Sequence, residues 1–246
     1  HYAKLEDYKK VDYTKEIGKR KINIASFGHI HPNKRIIPTL KAIAKLKDKY
    51  DFKYTFVGQL DPVLENVFPE ALKELGLENI VSDTGYTSLE DFINYLDESD
   101  IILNLRYPYN GESSGTFARS LAKGKVLIVN DIGSFSEVDD DAVVKIPPVD
   151  EEDESEEIYN IYSAINDLLS NPKKINLISE NARKFAEDNI DLNRIVYKYI
   201  KVIERQAFER ISEEIIRSIA VDEIKNKNYT RKERKGVLDT LTYVFE

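Results

Sequence analysis

The sequence predicts an α/β fold, a parallel sheet with helices on both faces, followed by a helical extension. Three observations carry that expectation. From residue 22 to residue 146 short strand patterns alternate with helical ones, the order that builds a parallel sheet wrapped by its own connections. The segments 101–105 and 126–129 are apolar almost without alternation, as strands buried on both faces are. Beyond an acidic run at 150–157 the apolar spacing becomes helical and stays so.

Residues 1–20 are polar, Lys-rich and aperiodic, and read as a connecting segment ahead of a domain at 21–190. Ile22, Ile24 and Phe27 mark the first strand, which stops at Gly28. After a polar loop, Ile36, Ile37, Leu40, Ile43, Ala44 and Leu46 mark a helix. The pattern repeats as strand 53–57, a turn at Gly58, helix 63–75, short strand 80–81 and helix 89–96. Thr87 and Glu90 have capping-box spacing, each side chain satisfying a free amide at the start of that helix. Strand 101–105, a loop through Glu112, helix 115–123 and strand 126–129 follow, and a last strand is expected at 142–146, stopped by Pro147 and Pro148. Ile158, Ile161, Ile165 and Leu168 then repeat at helical spacing, and Pro172 opens a further helix. In the extension, 191–246, residues 192–219 hold an apolar stripe without Gly or Pro, one long helix or two.

Composition excludes several classes of chemistry. The 246 residues hold 36 Lys and Arg against 44 Asp and Glu, a net charge of -8, and their 41% hydrophobic content is ample for a core. Seven of the acids lie within 150–157, so the rest of the chain is near neutral and no nucleic-acid partner is expected. With no Cys, disulfides, thiolate zinc sites and thiol nucleophiles are excluded. The three histidines are too few for a multi-histidine metal centre, and neither a metal nor a cofactor is expected. No apolar run reaches the ~18 residues of a membrane-spanning helix, and the first twenty residues lack a secretory layout, so a cytoplasmic protein is expected. Residues 225–235, with six bases and one acid, are either a solvated turn between helices or a patch for an anionic membrane surface. The absence of Met and the start at His1 read as a piece of a longer chain, a tagged one, or one whose modified Met residues are missing from the sequence.

In open parallel sheets ligands bind outside the carboxyl ends of the strands. Three loops qualify. FGHIHPNKR, after the first strand, has one glycine, Gly28, where a dinucleotide fingerprint has three, so that class is disfavoured. Its Lys34 and Arg35 offer cations for phosphate oxygens. His29 and His31 would place both rings on one side of an extended segment, but a metal needs further ligands and no carboxylate is near in sequence. The second loop holds Gly85 and Tyr86, whose backbone could read a nucleobase edge or simply make a tight turn. The third places Arg106 at a strand end, then Glu112, then Ser113, Ser114, Gly115 and Thr116 at a helix start. Free amides, a positive dipole end and small side chains there suit an anion. Glu112 cannot hold phosphate, and its carboxylate suits the hydroxyls of a sugar instead.

These segments, with VGQLDP, GESSGTFARSLAKGKVLIVNDIGSFSEV and SENARKFAEDN, together resemble the group 1 retaining glycosyltransferases over roughly residues 22–186. The resemblance implies a Rossmann-like parallel sheet, one half of the two-domain GT-B fold, with the helical extension added. It implies that Lys34 or Arg35 holds a donor diphosphate, that Gly85 and Tyr86 meet the base, and that Arg106 lines the pocket. Glu112 matches the first of the family's two glutamates and would contact the transferred sugar, while Ser113 to Thr116 would contact the β-phosphate. The second glutamate falls on Ser120, a shorter ribose contact, and His29 stands where the family often has a phosphate-binding Arg.

The function so implied is a hexosyltransferase-type glycosyltransferase domain taking a UDP- or GDP-sugar for retaining, metal-independent transfer to an unknown acceptor. The family's N-terminal acceptor domain has no counterpart in residues 1–21, so the chain alone is expected to bind nucleotide and transfer poorly. The alternatives are a non-catalytic binding or assembly module and a sugar-nucleotide epimerase. The C-terminal helices are expected to pack back, self-associate or lie on a membrane surface.

Overall fold

In a parallel strand successive side chains face opposite sides, and this alternation decides the architecture. In the computed structural model, which describes residues 2–10, 20–111, 114–148, 154–226, 230–233 and 235–236, the chain divides into two units, His1–Leu192 and Asn193–Glu246. Among the described residues the first unit holds strands β1 (Ile22–Phe27), β2 (Phe52–Val57), β3 (Val81–Asp83), β4 (Ile101–Leu103), β5 (Val126–Asn130) and β6 (Val144–Ile146). All pair in parallel, in the order β3-β2-β1-β4-β5-β6. Phe27 is opposite Val57, and Ile102 is opposite Leu127.

Ile24, Tyr54, Phe56, Ile101, Leu103, Val126 and Ile128 face one side, against helices α1 (Ile36–Ala44), α2 (Val67–Leu75) and α5 (Glu154–Ser170). Ala25, Val57, Ile102, Leu127 and Val129 face the other, against α3 (Leu89–Glu98), α4 (Gly115–Ala122) and α6 (Pro172–Asn189). The expected parallel sheet with helices on both faces is therefore the fold of this unit. The second unit contains α7 (Leu192–Asn226), a single helix.

Several local expectations need correction. The helix expected at 63–75 is a 3-10 turn at Pro62–Leu64, capped by Asp61, followed by α2. Pro69 explains the break: inside a continuous helix it would lose a hydrogen bond and clash with the preceding turn, whereas at the third position of α2 it is tolerated. The capping pair is Ser88 with Asp91, not Thr87 with Glu90. Ser88 Oγ accepts the Asp91 amide at 3.1 Å and donates to its carboxylate at 2.7 Å. Both pairs have the required spacing, and the helix starts in the frame that buries Leu96 completely.

Part of the expected connecting segment belongs to the packed unit. Ala3 exchanges backbone hydrogen bonds with Ile190 and Leu192, each 3.0 Å, and Ala3 and Leu5 join the second core. Arg20 grips the buried Asp100 with two hydrogen bonds, 2.8 and 2.6 Å. Fully buried Lys125 donates to the Asp97 and Ser99 carbonyls at 2.7 Å each, and burial lowers its pKa to about 8.

Candidate functional site

Because β1 lies between β2 and β4, connections from neighbouring strands leave in opposite directions and open a crevice at the carboxyl ends. The loop after β1 enters this crevice at Gly28, whose φ of +85° suits glycine. The loop folds back so that the Lys34 amine donates to the Phe27 carbonyl at the very end of β1. An ideal Cβ on Gly28 would lie 3.0 Å from Lys34 Nζ, so the missing side chain leaves room for that amine. Burial, helped by the nearby Arg106 charge, lowers the Lys34 pKa to about 7.

Arg35 goes elsewhere. Its Nε and Nη2 each donate at 2.6 Å to the carboxylate of Glu157 on α5, and its guanidinium lies over the Tyr107 ring at 5.5 Å. The Glu157 side chain is 3% exposed, and a carboxylate so buried requires this partner. Of the two adjacent cations, either of which was expected to hold phosphate, Lys34 sits at the crevice and Arg35 ties α1 to α5. Glu157, read in the sequence only as one of an acidic run, is the residue that separates them.

His29 and His31 also part company. His29 Nε2 lies 2.9 Å from Asp61, while His31 Nδ1 accepts the Asn33 amide at 3.2 Å and caps a 3-10 turn. The Val63 amide first, and then His29, hold the Asp61 carboxyl below its usual range.

The loop after β3 is joined to the loop after β1 through a residue read in the sequence only as a turn. Gly58 has φ +146°, and an ideal Cβ on it would lie 2.3 Å from the Gly28 carbonyl. On its other side Gly58 bridges Gly85, and its amide donates to Thr84 Oγ1 at 3.1 Å. Gly85 has φ +64° with open space around it, and the neighbouring Tyr86 is 83% exposed. The three glycines thus form a continuous side-chain-free strip along the crevice.

The loop after β4 completes the cluster. The Arg106 amide donates to Asn130 Oδ1 at 2.8 Å, and the Tyr107 amide donates to the Asn33 carbonyl at 2.7 Å, linking this loop to the first. Glu112 and Ser113 lie outside the described residues. Ser114 caps α4, its Oγ accepting the Phe117 amide at 3.2 Å and lying 3.4 Å from Asn104 Oδ1. Gly115 and Thr116 are the first residues of α4, where amides have no intrahelical acceptor. Asn104, 3% exposed, has an Nδ2 with no hydrogen-bond partner among the described residues. A buried donor left so is costly unless a ligand or water meets it.

Ser120 is completely buried, and its hydroxyl donates to the Thr116 carbonyl at 2.7 Å. Arg119, not singled out in the sequence, reaches back along α4: its Nη1 would lie 3.1 Å from an ideal Cβ on Gly115, and its Nε donates to the Tyr8 hydroxyl at 3.2 Å. The sequence signal was a Gly four residues before a long cation on one helix face. A concavity of ≈ 400 Å³ shares Ser114 with the cluster and runs between Phe117 of α4, the Ser134–Val138 region and Phe185 of α6.

Comparison with known proteins gives a consistent result. The C-terminal domain of a group 1 family glycosyl transferase, LpcC, from Francisella tularensis superimposes with a TM-score of 0.64 at 16% identity, covering 77% of this chain and 99% of that one. Anabaena Alr3699/HepE in complex with UDP and glucose gives 0.66 at 18% identity, covering 83% of this chain and 55% of that one. Sucrose-phosphate synthase from Thermosynechococcus elongatus gives 0.65 at 17% identity, covering 85% and 52%. The chain thus spans about half the length of the latter two, and at these identities the likeness is one of fold, the Rossmann-like half of a GT-B protein. A search of curated protein sequences finds no match. The family profile for glycosyl transferases group 1 matches residues 9–185, most of the chain and all three loops, and the chain belongs to that family.

Proposed function

We propose that this chain is the donor-binding half of a retaining, metal-independent glycosyltransferase of hexosyltransferase type, which takes a nucleoside-diphosphate sugar and works with an acceptor-binding domain outside these residues. The observation that carries the reading is the proximity of Lys34 and Arg106 at the carboxyl ends of the strands, where Ser114 beside Asn104 also holds the open first turn of α4. The unpartnered Nδ2 of Asn104 beside Ser114 supports it, as does the binding of UDP and glucose by HepE on a similar fold.

As the bond between the sugar carbon and the diphosphate oxygen breaks, negative charge grows on the leaving group. Lys34, Arg106 and the α4 amides lie where they stabilise that charge more in the transition state than in the ground state. The new bond from the acceptor oxygen forms on the same face, and the acceptor proton passes to a leaving phosphate oxygen. Backbone at Gly85, with the exposed Tyr86 ring, receives the base, and Glu112 accepts hydroxyl hydrogen bonds from the sugar. Ser113 to Thr116 face the β-phosphate.

Calorimetric titration with UDP, GDP and their sugars tests the proposal. Saturable binding is expected, and Lys34→Ala should weaken it about tenfold or more, the worth of a charged hydrogen bond. Binding should also weaken as pH rises through about 7, because Lys34 loses its proton there. The phosphate's own ionisation near pH ~6 works in the opposite direction, so the sign identifies the lysine. Lys34→Arg should flatten the profile. No saturable heat with any nucleotide would instead favour a non-catalytic assembly module, the reading that the burial of Ser120 supports.

A further inference from the structure

Arg119 stands one turn into α4 from Gly115, on the same helix face, and long side chains on a helix lean back toward its start. The guanidinium therefore reaches the open end, where Nη1 would lie 3.1 Å from an ideal Cβ on Gly115. Two neutral groups hold it there. Nε donates to the Tyr8 hydroxyl at 3.2 Å, and the guanidinium carbon lies 5.9 Å from the centre of the Phe92 ring. Phe92 in turn packs edge-on against Phe27 with ring centres 4.9 Å apart, and the Phe27 carbonyl is the one that takes the Lys34 amine. Both cations are thus tied to the last residue of β1, Lys34 through its backbone and Arg119, by way of Phe92, through its ring.

No acid neutralises this guanidinium among the described residues, where its one hydrogen bond goes to a neutral phenol. A helix start carries partial positive charge, so a cation held over it is repelled unless an anion lies between the two. Asn104 gives a second, independent sign of a ligand. It is 3% exposed, and its Oδ1 lies 3.4 Å from the Ser114 hydroxyl that caps α4. The Nδ2 of the same amide has no partner among the described residues, and a buried donor needs an acceptor.

We propose that Arg119 is a diphosphate-binding residue, which takes non-bridging oxygens beside the amides of the first turn of α4. This deepens the proposed donor binding and rests on it for what carries the diphosphate. Charge and valence select the ligand. The guanidinium and the first-turn amides offer donors only, so the matching group bears negative charge and several acceptor oxygens. A sugar hydroxyl or a base edge would leave the guanidinium charge unmatched. With Ser120 spent on the Thr116 carbonyl, Arg119 is the neighbouring side chain that extends to the open end of the helix.

Calorimetric titration of the 246-residue chain with inorganic pyrophosphate and with UDP tests the assignment. Arg119→Met keeps an apolar stem against Phe92 and removes the charge. It should weaken both ligands at least about tenfold, the size of a charged hydrogen bond, with unchanged far-ultraviolet circular dichroism. Tyr8→Phe keeps the ring, removes only the oxygen that holds Nε, and disturbs folding least. It should weaken both ligands by a smaller factor and add nothing once Arg119 is Met. Affinities equal to wild type in both variants, whatever stability is lost, would overturn the role of Arg119 and leave donor binding standing. No binding of either ligand by the wild-type chain would overturn both. Pyrophosphate held through Arg119, with no heat from any nucleotide, would support the diphosphate site and overturn the nucleotide-sugar reading alone.

Discussion

The helices of the two units share one habit of sequence, apolar residues three or four apart, and reach different ends. On the sheet, Leu40, Ile43, Leu121 and Ala182 have 0% of their surface exposed; on α7, Ile203, Phe208 and Ile219 have 63–73%. An apolar stripe is a demand for a partner, and the sheet meets that demand within the chain while α7 meets it with nothing among the described residues of its own unit. The adjacent Lys34 and Arg35 repeat the lesson at smaller scale. Both are cations in one loop, yet a buried carboxylate on α5 takes Arg35 and leaves Lys34 at the crevice.

If this contrast is correct, substitutions in the sheet unit should be costly and equivalent ones in α7 cheap. The severest is Gly58→Ala, whose Cβ would lie 2.3 Å from the Gly28 carbonyl, a backbone atom that cannot step aside. A loss above about 4 kcal/mol, or no folded protein, is expected in denaturant titration, and wild-type stability would disprove the close approach. Arg35→Ala leaves Glu157 buried without its partner and should cost about 3–5 kcal/mol, much of it recovered when Glu157→Leu is added. Leu121→Ala opens a cavity in the second core, at about 2–5 kcal/mol. Ile211→Ala, more than half exposed, should change unfolding stability by less than about 0.5 kcal/mol. Equal losses at Leu121 and Ile211 would erase the distinction between the units.

The strands were legible because their apolar runs admit few other structures, and the order of strand and helix implied parallel pairing before any contact was known. The first turn of α4 was legible because Ser114 and Gly115 stand where a cap and an open helix end must be. Pro69 held the reason for the broken helix at 63–75, and the apolar pattern around it outweighed that signal. Other features had no local trace. Arg35 and Glu157 are 122 positions apart, and nothing near either residue names the other. Gly58 looked like an ordinary turn until the sheet brought it against Gly28. Ser120 matched a family position by count, while its orientation depends on which face of α4 meets the sheet.

Residue order by itself determined the α/β class, the strand and helix sequence, the three loops and the apolar row of α7, because hydrophobic spacing and turn chemistry act over a few residues at a time. Only the tertiary structure decided which cation remains at the crevice, which glycines touch, which hydroxyl is spent on its own helix and which polar nitrogen is left unmet. Those outcomes depend on burial and on partners a hundred residues away, and a charge or a donor acquires its chemistry from what surrounds it.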